Sequence, residues 1–326
     1  MKTIFTNRIR HVVAAMACAL SLTACDEEPI PEAEEPEGAG PGAPFTCADV
    51  GGREFQFLAH ADGERDTPFL VGRQRDGYFN FTFRAPWTRN VYAKIITPVI
   101  GNDQVLHHWL FFKNDSSADG DLRVERSSGA HIQGELVEGW APGGSTHHYG
   151  KNLGRVLEPG WYTLEIHYNS NDRNATDRSG VSICYVEEEP KNIAELVWLG
   201  EDSLLSRRVW TGECEPRGPF PIHLLSVTPH MHVEGRWMKA VINRADGTQE
   251  ILHDRPFTFD SQVTYNFANE VLIHRGDTIT TTCTYATPKR FGTATTDEMC
   301  YLYVLAWPEK ALRSSGGLVH GPNTCM

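Results

Sequence analysis

A chain of 326 residues has room for two domains of ordinary size. With 40% hydrophobic and 10% aromatic residues it can bury real cores, and its many Val, Ile and Thr residues favour β-structure. A formal net charge of -12 argues against nucleic acid, or an anionic lipid surface, as its partner.

In chain order the first element is an export signal. Lys2, Arg8 and Arg10 precede an apolar run from Val12 to Leu22, which at 11 residues is too short for a stop-transfer helix. The run leads into Leu22-Thr23-Ala24-Cys25, which resembles the lipobox of bacterial lipoproteins, where the peptide is cut before the cysteine and the thiol carries lipid. Residues 1–24 thus read as a lipoprotein signal peptide and Cys25 as the lipidation site. The implied location is a bacterial membrane, facing the periplasm or the cell surface, with the lipid on Cys25 as the only membrane contact. Residues 25–44 form an acidic, Pro/Gly-rich tether. Seven acidic and no basic side chains between 26 and 44 leave too little apolar surface to fold.

From Phe45 onward, short strand-like runs alternate with turn residues. Tyr78–Phe83, Val91–Ile96, Val105–Phe112, Trp161–Tyr168 and Val181–Val186 form one set. His223–Val227, Arg236–Ile242, Gln262–Phe267, Thr278–Tyr285 and Tyr301–Ala306 form another. Pro142-Gly143-Gly144 and Glu158-Pro159-Gly160 are among the breakers. With no long amphipathic helix and no repeat, the pattern predicts two consecutive all-β sandwiches. They would span residues 45–190 and 191–326, with a junction near Glu187-Glu188-Glu189-Pro190-Lys191-Asn192.

Of eight cysteines, Cys18 leaves with the signal and Cys25 would be lipidated. The remaining Cys47, Cys184, Cys214, Cys283, Cys300 and Cys325 suit three disulfides in an exported protein, with 15 pairings open. The absence of a Cys-x-x-Cys pair argues against a thiolate zinc site.

Fourteen histidines are present, and three patterns stand out. His107-His108 lies in a strand-like run, where neighbours point to opposite faces, so both can meet one ion only if the backbone bulges. In His230-Met231-His232 the two histidines share a strand face and Met231 points into the core. Met299 adds a thioether. Imidazole with a soft sulfur is a copper donor set, because sulfur stabilises Cu(I), whereas zinc gains nothing from it. Cys300 would face away from Met299 and could form a disulfide without touching the metal.

These segments resemble the copper type II, ascorbate-dependent monooxygenases, the family of peptidylglycine α-hydroxylating monooxygenase and dopamine β-monooxygenase. The resemblance covers nearly everything after Phe45. It rests on His107-His108, Gly139-Trp140-Ala141-Pro142-Gly143, Leu164-Glu165-Ile166-His167-Tyr168, His230-x-His232 and Asp297-Glu298-Met299-Cys300 in the family order. It implies two antiparallel jelly-roll domains and two copper ions, one on each side of a gap between the sandwiches. His107, His108 and His167 would hold an electron-transfer copper, and His230, His232 and Met299 the copper where O2 reacts. His223 would stand just behind the second site. It further implies the pairings Cys47–Cys184, Cys214–Cys325 and Cys283–Cys300. The implied activity hydroxylates a C–H bond of a small-molecule substrate with O2 and a one-electron reductant such as ascorbate, with no obligate protein partner.

The substrate contacts depart from the peptidylglycine enzyme. Its carboxylate-binding Arg, Asn and Tyr positions hold Thr228, Tyr301 and Tyr303 here, so only the tyrosine survives. Losing the Arg removes the charge-assisted grip on a carboxylate. Tyr301 and Tyr303 share a face and could frame an aromatic or apolar substrate. Glu165, two residues before His167, is a candidate to orient it. His147-His148 matches no family ligand, and His60, His131, His253, His274 and His320 read as surface or structural residues. Two rivals use the same scaffold. A copper-delivery lipoprotein gives no reason for two chemically distinct sites. A pseudoenzyme that binds a carbohydrate or protein needs a site unable to hold copper, yet all six ligand types are present.

Overall fold

The computed structural model of the chain describes residues 45–114, 120–127, 134–292, 294, 296–314 and 323–326. Cys25, the signal, the tether, His131 and His320 lie outside the described residues. What is described is all-β, apart from a single 3-10 turn at Ala48–Val50.

Four main sheets carry the structure. The first runs, in hydrogen-bonded order, Arg53–Leu58, Gly180–Val186, Val91–Val99, Leu153–Leu157 and Asn192–Ile193, with His147–His148 added beside Val91–Val99. The second runs Val124–Ser127, Gln74–Arg84, Trp161–Ser170, Leu106–Asn114 and Glu135–Trp140. The third runs Tyr265–Ile273, Ile222–His230, Tyr301–Trp307, Glu195–Gly200 and Thr324–Cys325. The fourth runs Arg207–Cys214, Thr278–Lys289, Gly235–Asn243 and Gln249–Pro256. Each strand-like run noted in the sequence falls within or overlaps one of these strands. Strands 53–58, 135–140, 195–200, 207–214 and 249–256 lay outside those runs.

Alternation decides what each strand buries. Along Thr278–Lys289, Ile279, Thr281, Cys283 and Tyr285 turn inward while Thr278, Thr280, Thr282 and Thr284 lie nearer solvent. Trp109, Phe111, Tyr162 and Leu164 project from the second sheet towards the first, where the Phe57 ring lies 4.8 Å from Phe111 and 5.7 Å from Tyr162. Glu195–Gly200 is buried along its whole length. Its Val197 and Leu199 join the core against the fourth sheet, and its Leu196 and Trp198 join the core of the first half. The second and third sheets therefore face one another across a shared apolar boundary that also takes in Leu225, Met299, Tyr301 and Leu305.

Three disulfides close the fold: Cys47–Cys184, Cys214–Cys325 and Cys283–Cys300. Bridges of this kind mark a protein that matures in an oxidising compartment.

A charged cluster spans the boundary between the halves. Arg155, fully buried, donates to Glu135 at 2.6 Å and to the Leu136 carbonyl at 3.1 Å. Glu195, also fully buried, receives Arg313 Nε at 2.8 Å and the Lys310 amide at 2.6 Å, and Arg313 reaches on to Glu135 at 3.0 Å. Asn323 donates to the carbonyls of Leu136 and Leu196, one from each half. Removing one member strands buried charge, so Glu195→Ala should cost about 3–5 kcal/mol in stability. Urea unfolding of the purified variant measures this; a loss under about 1 kcal/mol would show that the cluster does not hold the halves together.

Candidate metal centres

The first centre depends on an irregularity in one strand. Where Leu106–Asn114 pairs with Trp161–Ser170, His167 opposes His108 and Tyr168 opposes Leu106, so His107 is the extra residue of a bulge. This local break in alternation brings two adjacent histidines to one place. His107 Nδ1 lies 2.9 Å from His108 Nδ1 and 3.1 Å from His167 Nδ1. Each of the three offers a ligand atom within 4.8 Å of the others. Nitrogen pairs 2.9–3.1 Å apart suit a shared ion with metal–nitrogen bonds of about 2.0–2.1 Å.

The trio is held from behind. The Tyr78 ring stacks on His167 with centroids 4.1 Å apart and planes 2° apart, and Asp76 lies 3.1 Å from His167 Nε2. That leaves Nδ1 of His167 for the centre. Glu165, expected to orient His167, shares its strand face, but its carboxylate accepts a hydrogen bond from Ser127 at 3.1 Å. The carboxylate touching His167 is Asp76, 91 residues away in sequence and invisible to a local pattern.

The second centre lies at the end of strand Ile222–His230. His230 and His232 stand with ring centroids 5.5 Å apart and planes at 90°. Each is fixed by a partner at Nδ1. His230 Nδ1 donates to Gln262 Oε1 at 2.7 Å, and His232 Nδ1 donates to the Asp297 carbonyl at 3.2 Å. Both rings thereby keep Nε2 as the bare nitrogen, whereas the trio converges through Nδ1. Glu298 accepts the backbone amides of His232 at 2.8 Å and Glu234 at 2.7 Å and so sets the turn beyond His230. Burial lifts the Glu298 carboxyl to about 7 against the pull of those amides. Met299 follows Glu298 and joins His230 and His232 in the wall of one cavity. Its neighbour Cys300 faces the other way, into the bridge with Cys283.

Burial keeps these imidazoles neutral. It pushes His230 down to about 4, and with help from the His230 charge it pushes His232 to about 3. Burial and then His107 hold His167 at about 3; His107 is lowered, and His108 lies well below its ordinary value. A neutral imidazole is the form that binds a metal. Five such nitrogens and one thioether match copper in both oxidation states, so the donor set fits the metal.

The two centres do not face each other across an open gap. The rings of His108 and His230 lie 6.4 Å apart, and both residues line a single chamber. Thr228, Tyr301 and Tyr303 line it too. The Tyr301 and Tyr303 rings pack on Trp198 at 5.2 and 5.1 Å, and Tyr301 hydrogen-bonds Asp202. Thr228 is paired with Thr264 at 2.8 Å. His223 departs from expectation. It sits at the far end of its strand from His230, stacked on Trp307 at 3.7 Å and 2.7 Å from Glu270. His147, set aside in the sequence, lines the chamber.

The Gly139-Trp140-Ala141-Pro142-Gly143 segment also acquires a role. The Pro142 carbonyl accepts the Gln262 amide at 2.7 Å, and Gly143, at φ +93°, lets the backbones meet where a Cβ would come within 3.0 Å of Gln262 N. A loop of the first half thus positions the residue that fixes His230 in the second.

Residues 206–316 match the family model of the copper type II ascorbate-dependent monooxygenase C-terminal domain. The chain is 28% identical over 252 residues to DBH-like monooxygenase protein 1 of Homo sapiens, covering 65% of this chain and 41% of that protein. It is 26% identical over 258 residues to dopamine beta-hydroxylase of Rattus norvegicus, covering 68% and 41%. Over these residues the chain is similar to the copper type II, ascorbate-dependent monooxygenases. It spans about two fifths of the length of these curated relatives. A likeness to the major capsid protein P2 from bacteriophage PM2, at TM-score 0.31 and 10% identity over 79% of this chain and 100% of that one, carries no argument.

The Gln262 contact gives a direct test of the second centre. Gln262→Leu removes the acceptor for His230 Nδ1–H and should weaken copper at the His230/His232 centre about 10–100-fold. Copper at the His107/His108/His167 centre should be unchanged. Titration against a competing chelator reads both affinities; equal weakening at the two centres would refute the assignment.

Proposed function

We propose that the chain is a copper-dependent monooxygenase that hydroxylates a C–H bond of a small substrate, using O2 and a one-electron reductant such as ascorbate. In this reading each half, residues 45–190 and 191–326, is a jelly-roll sandwich. Cys25 carries a lipid that anchors the protein to a bacterial membrane through the 25–44 tether.

One observation carries the reading: two unlike donor sets, three imidazoles in one and two imidazoles with Met299 in the other, meet at a single chamber, which the trio reaches through His108. His107, His108 and His167 would hold the electron-transfer copper, and His230, His232 and Met299 the copper at which O2 reacts. Two one-electron metals supply the two electrons that O2 activation needs beyond those taken from the C–H bond. The rest falls to the protein. Gln262 and the Asp297 carbonyl hold His230 and His232 in one tautomer, and Asp76 with Tyr78 aims His167. The aromatic walls from Trp198, Tyr301 and Tyr303 exclude water and seat an apolar substrate beside Met299. Such placement of a reacting group is worth several orders of magnitude in rate.

Metal analysis of the purified protein should find two coppers per chain, and O2 uptake with ascorbate should depend on a substrate. Met299→Ile should abolish hydroxylation, with a fall of at least about a hundredfold expected for loss of a metal ligand. Copper on the histidine trio should persist. Two bound coppers with no turnover on a broad substrate panel would instead favour copper delivery, and fewer than two would defeat the reading.

A further inference from the structure

The chamber has one wall that the copper chemistry does not use. Leu136, Glu138 and Trp140 alternate along strand Glu135–Trp140 and all face the chamber, and His147 comes to meet Glu138 from the short strand His147–His148. Glu138 Oε2 lies 2.8 Å from His147 Nδ1, and Glu138 Oε1 accepts the Gly139 amide at 3.0 Å. Both side chains are almost wholly buried, at 5% and 11% exposure. With both carboxylate oxygens engaged, the polar atom left to meet a ligand is His147 Nε2, which has no hydrogen-bond partner among the described residues.

The charge balance of this wall selects among ligands. Burial opposes a charge on His147, but the charge of Glu138 and its hydrogen bond outweigh burial and raise the imidazole above its ordinary value. With His147 protonated, the pair is a carboxylate–imidazolium couple, neutral overall, that offers one N–H donor to the chamber. A ligand carboxylate would be a second anion on an imidazolium that Glu138 already balances, and a ligand ammonium would meet the donor N–H. A neutral acceptor oxygen answers the donor and adds no charge.

We propose that Glu138 and His147 form the polar anchor of the substrate site, with His147 Nε2–H donating to a neutral acceptor oxygen, such as a carbonyl, on an aromatic or apolar substrate. The proposal rests on the monooxygenase reading and names the class of substrate it takes. Glu138 is a positioning residue that acts through His147.

Four probes of similar shape test it: acetophenone, ethylbenzene, benzoate and benzylamine. Their binding to the copper-loaded full-length protein is measured by calorimetry, with copper reduced and O2 excluded. Acetophenone should bind about tenfold or more tighter than ethylbenzene, as expected for a hydrogen bond to a charged donor, and tighter than benzoate or benzylamine. His147→Phe should erase the preference over ethylbenzene, and Glu138→Gln should reduce it. Because His147→Phe leaves the Glu138 charge without its partner, the double variant Glu138→Gln/His147→Phe provides a folded control and should show no preference. Equal binding of acetophenone and ethylbenzene, a preference that survives in the double variant, tightest binding by benzoate or benzylamine, or no binding of any probe would overturn the proposal. Copper content of the same samples tests the underlying reading separately, since none of these changes touches a proposed ligand.

Discussion

The chamber exists because the second and third sheets are held in one fixed relation. Two carboxylates and two guanidiniums, Glu135, Glu195, Arg155 and Arg313, balance in charge at the boundary, and Arg155 and Glu195 are fully buried. Such a cluster contributes little net stability compared with an apolar replacement, yet losing one member is costly. What it supplies is register: the charges can be satisfied only when strands Glu135–Trp140 and Glu195–Gly200 lie where they do. Around it Leu196, Trp198 and Tyr301 extend the first core into the second half, so shear would expose apolar surface as well as charge. Every distance between the two histidine sets inherits this constraint.

Burial then works on the histidines twice. It keeps the imidazoles neutral and hence able to bind metal, and it makes each supporting hydrogen bond count more than it would in water. The two centres use that in opposite ways. The trio turns Nδ1 inward, with Asp76 behind Nε2 of His167, while the His230/His232 pair is fixed at Nδ1 by Gln262 and Asp297 and presents Nε2. Gln262 owes its place to the Pro142 carbonyl, so the tautomer of His230 depends on a loop from the other half. The centres are unlike in donors and unlike in support, which suits an assignment of different duties.

The sequence made some of this legible and hid the rest for physical reasons. Period-two alternation exposed most central strands, and it correctly set Met299 and Cys300 on opposite sides. Weakly patterned strands escaped: Glu195–Gly200 is buried on both faces, so it shows no alternation at all. His107-His108 could be read only conditionally, because nothing local announces a bulge whose cause is the pairing with Trp161–Ser170. Asp76 and Gln262 act across 91 and 32 residues, and spacing cannot reveal such contacts. His223 misled in the opposite sense, since seven residues of extended strand span about 23 Å at about 3.3 Å per residue. His147 was hidden by its Gly-rich surroundings, and the nearby Glu138 that could have flagged it carries no motif.

Substrate recognition shows how the same scaffold can change partners. In the peptidylglycine relatives, as the resemblance has it, a cationic side chain beside the first histidine of the pair would grip a carboxylate. Here Thr228 takes that position and is tied to Thr264, leaving the wall nearest the His230/His232 centre without charge. The charges of the chamber lie instead on the first half, at Glu138 and His147, and they cancel. The division of labour is then spatial. The second half holds the proposed O2-reacting centre and the aromatic floor, and the first half contributes the histidine trio, the loop that fixes His230 and the polar wall. Because the boundary cluster fixes the halves, a polar group on one side can set which carbon of a substrate lies beside Met299 on the other. Regioselectivity in such an arrangement belongs to the interface between the halves rather than to either metal centre alone.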